Sequence, residues 1–188
     1  MRAFVAVDVP SSATDRSAPT HLTLRFLGEV PPERVPFIAD RLGDVARAVA
    51  PFDLTLEGVG AFPSARNPRI VWVGVTVGRE AVIALAERVR ASLASEGSAT
   101  EEGPFVPHVT LFRVRAPAGL RAARALLDGR VPGPEPRSFR VEAVLLKESR
   151  LRPGGADHRT VAAFALGGGA VEARGSGVDR SATSFRQR

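Results

Sequence analysis

Two stretches of the chain place a histidine and a threonine two residues apart in otherwise apolar runs. They are "HLTLRFLG", residues 21–28, and "PHVTLFRV", residues 107–114. Side chains at i and i+2 of an extended strand point to the same face. His21 and Thr23 therefore share one side with Arg25, while Leu22, Leu24 and Phe26 share the other. In the second stretch His108 and Thr110 share a side, with Val109 and Leu111 opposite. Two such strands facing one another form a cleft holding two imidazoles and two hydroxyls. A neutral imidazole can take a proton from water while a protonated one gives a proton to a leaving oxygen. Threonine hydroxyls can donate to the non-bridging oxygens of a phosphate. The set suits phosphodiester chemistry by acid and base alone. A metal centre fits less well, since no third or fourth ligand at suitable spacing accompanies the pair.

The third histidine, in "HRTV" (158–161), repeats the triplet with one change. Arg159 stands where the other copies have Leu22 and Val109, so the apolar back face is lost. His158 reads as mainly structural.

These strands need a scaffold, and apolar periodicity supplies one. "AFVAVDV" (3–9), "HLTLRFLG", "FDLTLEGVG" (52–60) and "RIVWVGVTV" (69–77) read as strands, with "AFPSARNP" a loop between the last two. "GPFVPHVTLFRV", "SFRVEAVLLKES" (138–149) and "HRTVAAFAL" (158–166) complete the set. Helical spacing runs over about 36–49, with Pro36 in the first turn, over 79–95, and over a short stretch near 118–128. Residues 10–20 are too polar and too short for anything but a loop. From Gly167 the chain turns Gly-, Ser- and Arg-rich and reads as a flexible tail over 167–188, after a single domain over 1–166. The order β, β, α, β, β, α, β, α, β, β lacks the strict alternation of a doubly wound parallel sheet. It predicts an α+β fold of antiparallel sheets with helices on their outer faces.

Composition narrows the classes. There is no cysteine, so disulfides, thiolate catalysis and cysteine–zinc sites are excluded. No apolar run reaches the ~20 residues of a membrane span, and the opening strand meets Asp8 too soon for a signal peptide. A cytoplasmic protein is the expectation. The net charge is +6, carried by arginine with Lys147 the only lysine, which permits phosphate or nucleic-acid binding without requiring it.

The two motifs resemble the paired signatures of the two-histidine (2H) phosphoesterase superfamily, in particular its RNA 2′,3′-cyclic phosphodiesterase, or 2′-5′ RNA ligase-like, branch. "FVAVDVP", "FPSARNPRIVWVGV", "PFVPHVTLFR" and "LLKESRLRPGGADH" extend the similarity over about residues 2–166. The resemblance implies a bilobal fold with pseudo-twofold symmetry and the site in the central cleft. It implies hydrolysis of an RNA 2′,3′-cyclic phosphate end to a 2′-phosphate without metal or other cofactor. His21 and His108 then act as general acid and general base, and Thr23 and Thr110 bind the phosphate. Arg113 fits the arginine that follows the second motif, although strict alternation puts it opposite His108; Arg25 has the right parity but a less characteristic identity. Phe105 is read as core, with base stacking as its other use. RNA ends or small cyclic nucleotides are the expected partners, with no protein partner and a monomer. Ligation through a 2′-5′ bond and non-catalytic nucleotide binding are the alternatives. Two features depart from the pattern. The usual helix between the first strand and the first motif has no counterpart in "SSATDRSAP", and His158 stands where an aromatic residue is common.

Overall fold

The strand β1 (Arg2–Val9) is buried from Ala3 to Val7 and again at Val9, so it must be covered on both faces. In the computed structural model, which describes residues 1–11, 20–96, 103–152 and 155–169, β1 is indeed an inner strand. It lies between β2 (Thr20–Glu29) and β7 (Ala143–Arg152), with β8 (Gly155–Ala165) beyond, in the order β2-β1-β7-β8. A second sheet has the order β5-β4-β3-β6, built from β3 (Phe52–Ser64), β4 (Asn67–Val75), β5 (His108–Arg113) and β6 (Arg137–Val141). Every pairing in both sheets is antiparallel. The histidine motifs occupy the edge strands β2 and β5, and these two edges lie against each other.

The helix α1 (Val35–Arg47) buries Ile38, Leu42, Val45 and Ala46, and α2 (Arg79–Ser92) buries Val82, Leu85, Ala86 and Val89. Both sets recur at three- and four-residue intervals, the spacing that puts them on one face of a helix. Those faces join Val5, Val7, Leu22 and Leu24 of the first sheet and Leu54, Leu56, Val73 and Val109 of the second in one apolar cluster. The two lobes therefore share a core. The third helix, α3 (Pro117–Leu127), packs on β3 and β4 and buries only Ala123. Entry into α2 needs Gly78, whose φ is +73° and where a Cβ would lie 2.1 Å from the Asp53 carbonyl oxygen.

The expected α+β architecture with two antiparallel sheets is observed, and two expectations within it are corrected. The predicted loop over residues 61–68 is mostly strand: β3 and β4 continue as a hairpin closed by residues 65–66, because cross-strand pairing carries on through the Pro- and Asn-containing ends. The predicted single strand over 138–149 is two strands in different sheets. The chain leaves β6 at Val141 and enters β7 at Ala143, and the Glu142 carbonyl between them accepts the Leu166 N–H at 2.9 Å. Past β8, Leu166 belongs to the core and the Gly167 N–H donates to the Val49 carbonyl at 2.8 Å. Residues 170–188 of the expected tail, and residues 12–19 of the expected loop before His21, lie outside the described residues. Among the described residues no helix is long and apolar enough to cross a membrane.

Because Leu42 sits in a cluster common to both sheets, Leu42→Ala is expected to cost about 2–5 kcal/mol. Denaturant unfolding followed by circular dichroism should still show one transition for the two lobes. Separate transitions would show that the lobes are independent.

Candidate active site

The register of the two motif strands decides which side chains reach the cleft. On β1, Asp8, Ala6 and Phe4 pair with His21, Thr23 and Phe26 of β2, while Val5 pairs with Arg25. Leu24 has no partner between Thr23 and Arg25. On β4, Gly74, Trp72 and Ile70 pair with His108, Thr110 and Arg113 of β5, and the register steps from Thr110 to Phe112 across Leu111. Each motif thus contains a β-bulge at the leucine that follows its threonine. A bulge adds one residue and reverses the alternation beyond it. Cross-strand partners share a face, so His21, Thr23 and Phe26 face one way, as do His108, Thr110 and Arg113.

This register revises the parity expected from the sequence. Arg113 lies on the His108 side, and the Leu111 bulge is the reason. Arg25, expected beside His21, lies instead on the side of Val5, a core residue. Its guanidinium is buried and donates to the Arg90 carbonyl at 2.6 Å and to the Glu96 carbonyl at 2.5 Å, at the end of α2. Phe26, assigned to the apolar side by alternation, is 51% exposed with its ring 6.1 Å from Phe4. One signal in the sequence pointed to it. His-x-Thr-Leu is followed by Arg-Phe in one motif and Phe-Arg in the other, so Phe26 occupies the position that Arg113 occupies in the partner strand. Phe105 packs against the core.

The two imidazoles have different surroundings. The His108 Nδ1 lies 2.8 Å from the Val106 carbonyl oxygen. A carbonyl only accepts, so Nδ1 carries the hydrogen and the neutral ring keeps its lone pair on Nε2. Phe62 packs edge-on against this ring at 4.9 Å, and Trp72 lies 6.0 Å away. Gly60, opposite Trp72, makes room for the indole; a Cβ there would come within 2.2 Å of it. Burial lowers the pKa of His108, the bond to Val106 opposes that, and the charge of Arg113 lowers it further.

His21 packs against Phe4 at 4.8 Å and against His158 at 4.8 Å, the latter edge-on. Burial first, then the charges of His158 and Lys147, push its pKa down to about 3. Lys147 is itself only 4% exposed, and its Nζ donates to Asp8 Oδ1 at 2.6 Å. Burial first, then the charge of Lys147, lowers the pKa of His158; Asp157 opposes this and Arg113 of the other lobe adds to it, so groups from both lobes share one electrostatic neighbourhood. Lys147 and Arg113 thus place positive charge near imidazoles that are themselves held neutral, an electrostatic setting that favours an anion. Among the described residues no group of three or more His, Cys, Asp or Glu is arranged to hold a metal ion.

Comparison with known proteins gives a consistent family. A sequence family described as the 2′-5′ RNA ligase superfamily matches residues 8–150. An RNA 2′,3′-cyclic phosphodiesterase of Archaeoglobus fulgidus is 34% identical, over 87% of this chain and 99% of its own. One from Thermus thermophilus is 37% identical, over 84% of this chain and 78% of its own. Among solved structures, a Thermus thermophilus protein superposes with a TM-score of 0.69 at 29% identity, covering 89% of this chain and 99% of that one. E. coli LigT complexed with 3′-AMP superposes with a TM-score of 0.65 at 28% identity, covering 88% and 97%.

Two measurements check this geometry. Gly60→Ala is expected to displace Trp72 and cost about 1–3 kcal/mol, with a shift in the fluorescence of the chain's one tryptophan; an unchanged spectrum and stability would contradict the contact. The second concerns acid. Above pH 6.5 His21 is neutral in both the folded and the unfolded chain, whereas between 6.5 and about 3 only the unfolded chain takes the proton. Stability should therefore fall as pH drops through that window, by up to about 1.4 kcal/mol per pH unit from this group. His21→Phe should flatten that dependence in urea titrations, and an unchanged slope would contradict the buried neutral imidazole.

Proposed function

The chain belongs to the 2′-5′ RNA ligase superfamily and is a cyclic phosphodiesterase, and we propose that it opens RNA 2′,3′-cyclic phosphate ends to 2′-phosphates with His21 and His108 as its acid and base and no metal. One observation carries this reading: the matched bulges align His21, Thr23 and Phe26 on one edge strand and His108, Thr110 and Arg113 on the other, where the two edges abut.

The roles follow from the differences between the two rings. His108, its Nδ1–H given to Val106, offers a lone pair on Nε2 and suits the base. It takes a proton from water as the water oxygen attacks phosphorus. The bond from phosphorus to O3′ breaks, protonated His21 gives its proton to O3′, and the phosphate remains on O2′. The Thr23 and Thr110 hydroxyls donate to non-bridging oxygens, and the Arg113 guanidinium faces the charge that builds on them. Exchange with solvent then returns His108 to neutral, and His21 takes up its next proton from solvent as the next anionic substrate binds. The exposed ring of Phe26 offers a stacking surface to the terminal base, an interaction worth about 1–3 kcal/mol and indifferent to base identity.

A pKa near 3 leaves His21 neutral in the free protein at neutral pH, while a general acid must carry a proton. The substrate resolves this. Its cyclic phosphate is an anion, and an opposite charge within hydrogen-bond reach raises an imidazole's pKa. A ring that holds its proton only against the phosphate is also a strong donor once O3′ begins to leave. Ligation would use the same pair with a ribose hydroxyl in place of water. Water's abundance favours hydrolysis.

Turnover of an oligoribonucleotide ending in a 2′,3′-cyclic phosphate, assayed in EDTA, tests the reading. Undiminished activity is expected in the parent, with losses of at least about 10²-fold in His21→Ala and in His108→Ala. Full activity in either variant, loss of activity in EDTA, or binding with no turnover would each overturn it.

A further inference from the structure

His21 and His158 come from opposite edges of one sheet, on β2 and β8. Three strand spacings would separate those edges by about 14 Å in a flat sheet. The two rings are nevertheless 4.8 Å apart, edge to face at 82°. The sheet curls, and His158 closes the curl. Phe4, on β1 beside β2, packs on both rings, tilted against His21 at 4.8 Å and edge-on to His158 at 5.1 Å. Three rings thus interlock, and the only one that the reaction uses directly is His21.

We propose that His158 is a positioning residue of the reaction, clasping the His21 imidazole against Phe4 from the far edge of the sheet. The inference rests on the reading of His21 as the acid. An acid contributes only when its proton lies in line with the leaving oxygen, and small displacements cost rate steeply. The bond to Val106 orients His108; for His21 the contacts with Phe4 and His158 carry the orientation.

The state of His158 matters as well as its shape. Its Nδ1 is buried with no hydrogen-bond partner among the described residues. Protonation would bury an N–H without an acceptor, which favours the neutral ring with its hydrogen on Nε2. The charged groups that bear on it reinforce this. Lys147 from β7 and Arg113 from β5 disfavour a charge on His158, Asp157 on its own strand favours one, and Asp8 of β1 is engaged by Lys147. A neutral His158 leaves the proton brought in with substrate to His21.

The test compares three substitutions in the full chain. His158→Phe keeps an aromatic edge and removes the titrating group; His158→Ala and His158→Gln remove the ring. With three histidines in the chain, each imidazole can be titrated by NMR. The ring-less variants should lose about tenfold in kcat with KM changed less than about threefold, and the Phe variant should recover kcat to within about threefold of the parent. In the two ring-less variants the titration midpoint of His21 should rise as its burial is relieved, while that of His108 stays put. Should Ala not fold, Gln against Phe makes the same comparison. Parental kcat without the ring, a Phe variant as slow as the ring-less ones, or an unmoved His21 midpoint would overturn the proposal. Those results leave the acid assignment standing, which falls only if His21→Ala itself retains full turnover.

Discussion

A strand alternates its side chains, and that alternation is the constraint around which this protein is built. Each motif strand must show an imidazole, a hydroxyl and one further contact to the cleft, while keeping a continuous apolar face toward the shared core. Strict alternation would turn Arg113 into the core and Phe26 with it. The bulges at Leu24 and Leu111 solve both problems at once. Leu24 is only 4% exposed and joins the core, while the residues beyond it change sides. Arg25, turned inward, is accommodated by carbonyls at the end of α2. A buried guanidinium is tolerable only with such partners, so the end of α2 is part of what lets the first motif keep its register.

The edges that carry the motifs meet, and their electrostatics follow from that. Two half-buried imidazoles resist protonation, and Lys147 and Arg113 add positive charge near them. In the proposed reaction the anionic substrate supplies the opposite charge that lets His21 hold a proton it otherwise refuses. The Asp8 carboxylate beside Lys147 keeps that buried ammonium paired, since an unpaired charge at such depth would be costly. Under the proposed mechanism, the same arrangement that makes His21 a poor base in the free protein prepares it to act as an acid.

The two His-Thr pairs were legible in the sequence because their spacing and apolar setting are local. The buried faces of α1 and α2 were legible for the same reason. Bulges were not, because they arise from pairing between strands rather than from either strand alone. Hence Arg113 and Arg25 exchanged sides relative to the expectation, and Phe26 was assigned to the core. The exchange of sheets at Glu142 was hidden too, since the apolar residues on either side of it read as one continuous strand. His158 looked structural because Arg159 interrupts its apolar back. Its contact with His21 depends on the curl of a four-stranded sheet, which no single strand encodes.

A structure of the protein with adenosine 2′-phosphate tests the central claim most directly. The phosphate should lie between the rings, with Nε2 of His108 about 3 Å from a phosphate oxygen and His21 about 3 Å from O3′. Arg113 should meet the same phosphate and Phe26 the base. A phosphate held by only one lobe, or seated away from β2 and β5, would contradict the account.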